Sequence, residues 1–297
     1  MRVFSNIEPD VLAGIQQSSA AVQTALQQVS TQQRVNLPGD DPTASALLVQ
    51  NLAENNNVDQ YTKNANAALG QAQTADSVLT SVVSLLTQAV SLGTQGANGT
   101  NTPANRQVNA TQVQGILASV ASEANTTYQG VAIFGGTATP TVAFVADTSS
   151  ATGYAYKGDS GINQVQVGDN LQVQVNISGD KLFTNPTASV LGSLSQLANA
   201  LQSGSITDIG NATKAVTTAL NYLSAQHGIY GNTVNQLTAQ ETFLGQEKVT
   251  LSTQATSLIG IDPATALENL AQAQAHNSAV LAAAAKVLPT TLLDYLK

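Results

Sequence analysis

Residues 209–258 read IGNATKAVTTALNYLSAQHGIYGNTVNQLTAQETFLGQEKVTLSTQATSL. Within them Ile209, Val216, Leu223, Tyr230, Leu237, Leu244, Leu251 and Leu258 recur every seventh residue, the spacing that keeps one apolar stripe of a helix against a partner helix. A continuous helix over this run is about 75 Å long at 1.5 Å per residue. Leu223, Tyr230, Leu237, Leu244 and Leu251 are its candidate arm seam. His227, Glu241 and Lys248 sit at companion positions, so the seam is thinner than that of a self-sufficient coiled coil. Gly228, Gly231 and Gly245 allow bends.

A second helical stripe lies upstream. Val58, Tyr61, Ala65, Ala68, Ala72, Ala75, Leu79, Val82, Leu86 and Ala89 step by three and four, the periodicity of one helical face. In Gly39-Asp40-Asp41-Pro42-Thr43 an aspartate can cap the first free N–H groups and Pro42 suits the first turn. That helix should end within Gly93–Gly99, and a second, carrying Val113, Leu117, Val120, Ala124 and Thr127, should follow Pro103 as the return arm of an αα-hairpin.

After Tyr128 the period changes to two. Leu171, Val173, Val175 and Ile177 alternate with Gln172, Gln174 and Asn176, and Gly158-Asp159, Gly168-Asp169 and Gly179-Asp180 read as turns. Residues 131–183 are therefore expected to form a small antiparallel β insert, a compact excursion whose open edge needs protection.

Both chain ends carry amphipathic helices. Val11, Ile15, Val22, Ala25 and Val29 form one stripe; Leu267, Leu270, Leu281, Ala284, Leu288 and Tyr295 form the other, with Leu292 beside it and Pro289 interrupting the last turns. Residues 11–33 hold no charge and residues 269–293 hold only Lys286, whereas a solvated coiled coil carries charges beside its seam. Such faces predict packing on several sides, so the termini should order only within an assembly. Val11, Ile15, Val22, Val29, Leu267, Leu270, Leu281, Leu288, Leu292 and Tyr295 are the candidate assembly interface.

The expected fold is mainly α with a small β insert: long helical hairpin or coiled-coil arms from both chain ends, with an antiparallel β domain in the middle. The expected domains are 1–42 with 259–297 (terminal coiled coil, disordered in the monomer), 43–130 with 184–258 (helical arm), and 131–183 (β insert).

Composition narrows the function. Charged residues make up 9% of the 297, against about 25% in a typical soluble domain. The net charge is −8 and the basic residues are scattered, so no patch exists to bind a phosphate backbone, and nucleic acid is not an expected partner. The apolar run Ala279–Leu288 is far shorter than the roughly 20 residues that cross a bilayer, and no membrane partner is expected. The first ten residues lack the apolar stretch of a cleavable signal peptide. Without cysteine there is neither a disulfide framework nor a thiolate site. Enzyme signals are weak. His227 and His276 belong to no metal-binding pattern, and Gly93-Thr94-Gln95-Gly96-Ala97-Asn98-Gly99 lacks the Lys-Ser/Thr ending of a phosphate loop. Asp40-Asp41 reads as a cap before a cation site, and the Gly-Asp pairs read as hairpin turns before a calcium array. No enzyme activity, cofactor or metal is expected.

A family resemblance then joins these pieces. Ser30-Thr31-Gln32-Gln33-Arg34-Val35-Asn36-Leu37-Pro38-Gly39-Asp40-Asp41-Pro42 resembles the N-terminal signature of the flagellin-type hook-associated proteins, with Arg34, Asp40, Asp41 and Pro42 at its centre and Gln60-Tyr61 with Asn64 following. Tyr128-Gln129-Gly130 with Phe134-Gly135-Gly136-Thr137 is similar to the family's exit from its helical arm. Tyr156-Lys157-Gly158-Asp159-Ser160-Gly161, with Val165, Val167, Gly168 and Asp169, looks like the insert of the hook-associated protein 3 group, and Leu292-Leu293-Asp294-Tyr295-Leu296 resembles that group's C-terminus. The family usually has Gly-Lys where Gln32-Gln33 stands. The resemblance implies a structural subunit of the bacterial flagellum that joins hook to filament between hook-associated protein 1 and flagellin. It implies export through the flagellar type III apparatus with a cytoplasmic chaperone, an extracellular location, and packing against neighbouring copies: terminal helices in an inner tube, arms in an outer layer, insert projecting outward. Filament flagellin is the nearest alternative. A secreted adhesin or glycan binder, using Phe144, Tyr154, Tyr156 and Phe183 of the insert, is the alternative of another class.

Overall fold

The computed structural model describes residues 7–294 apart from 139, 148 and 151, with side chains described between residues 9 and 286. Two compact units are present: Met1–Asn57 with Gln246–Lys297, and Val58–Gly245.

In the second unit the expected αα-hairpin is present. Helix α2 (Pro42–Gly96) is followed by α3 (Pro103–Ala124), whose N-cap Thr102 accepts from the Asn105 amide. The start of α2 is as read: Asp41 Oδ1 accepts from the Ala44 amide at 3.0 Å and Pro42 opens the helix. Helix α2 includes an 18-residue window of mean hydropathy 1.4, long and apolar enough by composition to cross a membrane. Its Leu79, Val82, Leu86 and Ala89 are fully buried in the bundle, as a core helix requires. Helix α5 (Val190–Ser203) is capped by Ser189 and stopped by left-handed Gly204, and packs against α3. Helix α6 (Ile206–Ile259) carries the heptad run, and His227 Nε2 lies 2.8 Å from Asp76 Oδ1 of α2. The end of α2 comes close to α5 and α6: a side chain at Gly93 would strike Thr213, and one at Gly96 would strike Leu201.

One cation holds this end of the bundle together. Arg106, buried near the start of α3, donates Nε to the Gly96 carbonyl at 3.0 Å, Nη1 to Gly204 at 3.2 Å and Nη2 to Asn98 at 3.4 Å. It thereby satisfies carbonyls at the C-terminal ends of both α2 and α5, where a positive charge is favoured.

Among the described residues the β insert is three hairpins rather than one sheet. β1 (Thr127–Tyr128) pairs with β2 (Val131–Ala132), β3 (Phe144–Ala146) with β4 (Tyr154–Tyr156), and β5 (Gln164–Gly168) with β6 (Leu171–Gln174), all antiparallel. Three expectations need correction. Thr127 is not on the helix after Pro103: α3 ends at Ala124, where the Asn125 amide closes back on Ser122 and Glu123, and Thr127 pairs with Ala132 in β1. The alternation through Val175 and Ile177 does not prolong the strand: β6 ends at Gln174, and Asn176 turns inward to bond Asn163 N and the Gly161 carbonyl. Gly179-Asp180 opens the short helix α4 (Gly179–Phe183) instead of making a turn, because Gly179 lies against Phe144, Tyr156 and the Phe134 carbonyl. Phe134, Phe144 and Phe183 are fully buried and meet edge to face, with centroids 5.2 Å and 5.6 Å apart.

The first unit contains α1 (Ile7–Thr31), the beginning of α2, the end of α6, and α7 (Pro263–Asp294). Helix α7 continues through Pro289 to Asp294, so the proline does not end it. The expected contacts of Leu288, Leu292 and Tyr295 lie outside the described side chains.

Candidate assembly interface

The two terminal helices pack on each other along their length. Their direction is antiparallel: Gln33 forms an antiparallel bridge with Gly260, and further along Ser18 Oγ lies 2.9 Å from Asn277 Oδ1. On α1 the inward positions are Val11, Ile15, Ser18, Val22, Ala25 and Val29, in alternating steps of four and three. On α7 they are Ala266, Leu270, Ala273, Asn277, Val280 and Ala284, in the same steps. This is a two-stranded antiparallel coiled-coil seam. Val11, Ile15, Val22, Val29 and Leu270 of the candidate interface are part of it, half-buried between the helices.

Leu267 and Leu281 are not. They stand one position round from the seam residues Ala266 and Val280, 56% and 47% exposed. Alanine fills the α7 seam because α1 supplies the bulk from Val and Ile, so the leucines that attract attention in the sequence are displaced outward. On α1 the matching residues are Leu12 and Leu26, 57% and 55% exposed, which sequence reasoning missed. It also missed the polar layer in mid-seam. Ser18 is buried and bonded to Asn277, and one polar layer of this kind specifies register at some cost in stability.

The family motif forms the linker between α1 and α2. Arg34 Nη2 donates to Asp41 Oδ2 at 3.0 Å and to the Leu258 carbonyl at 3.1 Å, while its amide donates to the Ile259 carbonyl at 2.6 Å. Asp40 Oδ2 accepts from the amides of Asn36 and Leu37. The Ala44 amide and then Arg34 hold the Asp41 carboxyl below the usual range. Arg34 thus ties Asp41 at the start of α2 to the end of α6, while Asp40 holds the turn of the linker. Gln32, at the position where the family usually has glycine, takes a left-handed φ of 56° as the chain leaves α1.

Asn64 belongs to the second unit and has a different task. Its Nδ2 donates to the Gln166 carbonyl at 2.9 Å, and Tyr61 Oη donates to Asp169 Oδ1 at 3.0 Å. From α6, Gln240 Nε2 donates to the Val167 carbonyl at 2.8 Å, and Tyr230 Oη accepts from the Ile177 amide at 2.8 Å. The register irregularity of β5 falls between Gln166 and Gly168, and the carbonyls of Gln166 and Val167 are bonded by the arm helices. Side chains of α2 and α6 thus cover the β5 edge of the third hairpin.

The arm-seam residues Leu223, Tyr230, Leu237, Leu244 and Leu251 are all buried. Burial pushes the Tyr230 phenol well up, and pushes the Tyr156 phenol up to about 12. Phe144 and Phe183, two of the four aromatics that a glycan binder would offer, are core, and half-buried Tyr156 donates its hydroxyl at 2.8 Å toward the carbonyls of Phe134 and Asp159. Asp159 accepts from the amides of Thr137, Ala138 and Gly161 and from the Thr137 hydroxyl, which holds its carboxyl low. Among the described residues no three His, Asp or Glu side chains are grouped so as to hold a metal ion.

Comparison with known proteins gives a consistent picture. The family described as bacterial flagellin N-terminal helical region matches residues 7–139, and the bacterial flagellin C-terminal helical region matches residues 213–296. Flagellar hook-associated protein 3 of Escherichia coli K12 is 30% identical over 184 residues, 61% of this chain and 56% of that protein. The B-type flagellin of Pseudomonas aeruginosa PAO1 is 28% identical over 178 residues, 59% of this chain and 31% of that protein. The chain thus spans little more than half the length of the hook-associated protein 3 relatives it matches. Among solved structures, a flagellar hook-associated protein from Vibrio parahaemolyticus shares the fold with a TM-score of 0.67 and 21% identity, over 74% of this chain and all of that one.

Proposed function

The chain belongs to the bacterial flagellin family, and from that membership we propose that it is the junction subunit between hook and filament, an assembly adapter between hook-associated protein 1 and flagellin. The observation that carries the reading is the terminal pair. The two chain ends, matched by the family's N- and C-terminal helical regions, meet in a narrow seam and leave Leu12, Leu26, Leu267 and Leu281 exposed on helices that carry no charge over residues 11–31 and 269–285. Such a pair is stable as a layer within a larger packing, where neighbouring copies cover it. The junction role is favoured over filament flagellin by the larger share of hook-associated protein 3 that the match covers.

In this reading residues 1–42 and 259–297 pack with neighbouring copies, residues 43–130 and 184–258 stiffen each subunit, and residues 131–183 ride on the arm. Leu288, Leu292 and Tyr295 extend the assembly surface. The chain reaches the flagellum through the type III apparatus with a cytoplasmic chaperone, its terminal helices unpaired, and they order on arrival, so that folding is coupled to joining. A subunit whose neighbours differ below and above makes heterologous contacts.

Deleting the gene tests the role. Hooks should remain while flagellin is shed unpolymerised, and the restored chain should bring filaments back. Loss of filaments without released flagellin would make the chain the filament subunit itself; unaltered filaments would remove the proposal.

A further inference from the structure

The loop that joins α2 to α3 holds a reactive pair of residues. Asn98-Gly99 is the sole Asn-Gly step in the chain, and Asn98, Gly99 and Thr100 are all exposed. Asn98 Oδ1 accepts from the Thr100 amide at 3.1 Å and from the Thr100 hydroxyl at 2.9 Å. These bonds close a turn around Gly99 and fold the carboxamide toward the Gly99 nitrogen. The main-chain carbonyl of Asn98 accepts from the Asn101 amide at 3.0 Å and from Arg106 Nη2 at 3.4 Å. Among the described residues nothing accepts from the Gly99 amide or from Asn98 Nδ2. The asparagine thus has both of its carbonyl oxygens held by donors, while its side-chain nitrogen and the next backbone nitrogen are free.

We propose that Asn98 is a self-modification site, at which the Gly99 nitrogen attacks the Asn98 carboxamide and the residue passes through a succinimide to aspartate and isoaspartate. The Gly99 N–H gives its proton to solvent base, the nitrogen bonds to Asn98 Cγ, and the carbonyl electron pair moves onto Oδ1. Collapse of that oxyanion breaks the Cγ–Nδ2 bond, and ammonia leaves with a proton taken from water. Water then opens the five-membered ring at either carbonyl, so one amide and one water become one carboxylate and one ammonium. Each charge that develops has a donor in place. The Thr100 N–H and hydroxyl face the oxyanion on Oδ1. The Asn101 amide and the Arg106 guanidinium polarise the Asn98 main-chain carbonyl, which draws charge from the deprotonated Gly99 nitrogen. Glycine leaves that nitrogen open to close approach. When water attacks the main-chain carbonyl carbon, the former main-chain oxygen becomes part of a free carboxylate beside Arg106, an ion pair that the starting amide lacks. Isoaspartate is therefore favoured, and the loop gains a negative charge at the guanidinium that holds the ends of α2 and α5. This chemistry is independent of the assembly role proposed above.

The test is a time course on the purified full-length chain at mildly alkaline pH, native and unfolded in urea. Peptides are mapped by mass spectrometry for replacement of NH2 by OH, and isoaspartate is scored with an isoaspartyl methyltransferase. The expected result is conversion at Asn98 ahead of every other asparagine, at least as fast in the native chain as in the unfolded one, and with a larger isoaspartate share when native. Slower conversion in the native chain, or another asparagine reacting first, would overturn the proposal. Thr100→Val removes the hydroxyl donor and should slow the native reaction by roughly three- to tenfold, the worth of one exposed hydrogen bond, with the unfolded rate unchanged. Thr100→Ser should restore it, and equal native rates for the parent chain and Thr100→Val would count against the arrangement. Gly99→Ala keeps the fold, since a Cβ there meets nothing within 4 Å and the φ is not left-handed. It should suppress conversion by an order of magnitude; undiminished conversion would mean a route other than ring closure and would contradict the proposal.

Discussion

In residues 58–245 the heptad positions Ile209, Val216, Leu223, Tyr230, Leu237 and Leu244 are all buried, and the unit adds an aromatic cluster and a buried arginine on helix ends. In residues 1–57 and 246–297 the same spacing gives α1 and α7 a seam of Val, Ile, Ala, Ser and Asn with the single leucine Leu270, while Leu12, Leu26, Leu267 and Leu281 are left outside. A heptad repeat states that a helix has a partner; it does not state that the partner is in the same chain. The arm's partners are all present, and its stability should be local. The terminal pair has one partner where its surface needs more, and its stability should come from neighbours.

The contrast is broken most forcefully in the arm. Phe183→Ala removes a fully buried ring that meets Phe134 and Phe144, and should cost the monomer about 3–5 kcal/mol in urea unfolding. Leu26→Ala in the terminal pair should change the monomer by less than about 0.5 kcal/mol while weakening filament retention. Comparable losses in monomer stability would erase the distinction.

Next in size is Arg106→Ala, which strips charged donors from the carbonyl ends of α2 and α5 and should cost about 2–3 kcal/mol. Arg106→Lys should recover little, since one ammonium cannot reach three carbonyls arranged for a guanidinium fork. Recovery by lysine would show that charge alone matters there.

Tyr230→Phe leaves the Ile177 amide without its acceptor, for about 1–3 kcal/mol. Alkali offers a related check. Tyr156 and Tyr230 have folded pKa values raised above the ordinary phenol value near 10. The unfolded chain therefore loses these protons first, and their stabilisation, complete below about pH 10, fades as pH rises toward and beyond the folded values. Residues 9–57 and 246–286 contain no tyrosine, so the arm should be the alkali-sensitive unit in circular dichroism.

The smallest effect is expected at the linker. Gln32 holds a left-handed φ of 56°, so Gln32→Gly relieves strain and should stabilise the α1 end by up to about 1 kcal/mol. Gln32→Val should do the reverse, because a β-branched side chain resists that conformation. Equal stability of all three would mean that the turn is not held in solution.

Much of the arm was legible because its signals are local. Asp41 and Pro42 open α2, Gly93 and Gly96 end it, and seven-residue spacing picks out buried leucines whatever lies opposite. The α7 seam was legible only at Leu270 and Ala284, because bulk drew the stripe to Leu267 and Leu281, whereas the inward line also runs through Ala266, Ala273, Asn277 and Val280. Only the partner helix makes small residues the right choice there. Asn64 could be matched to a motif, but its purpose requires Gln166, 102 positions away. Arg106 carried no pattern at all; its one visible hint is a lone cation just inside a helix that follows a glycine-containing turn. Val175 and Ile177 kept strand spacing past the end of β6, but Asn176 between them is buried by its bonds to Asn163 and Gly161, partners that the alternation could not show.

Amide hydrogen exchange on the purified full-length chain, verified as a monomer, tests the central claim most directly, with the assembled junction as reference. The account predicts strong protection across the described parts of α2, α3, α5 and α6 in residues 58–245, weak protection across residues 11–33 and 266–286, and a gain of protection in those two segments alone on assembly. Strong protection of both terminal segments in the isolated monomer would show that the pair is complete without neighbours, and would contradict it.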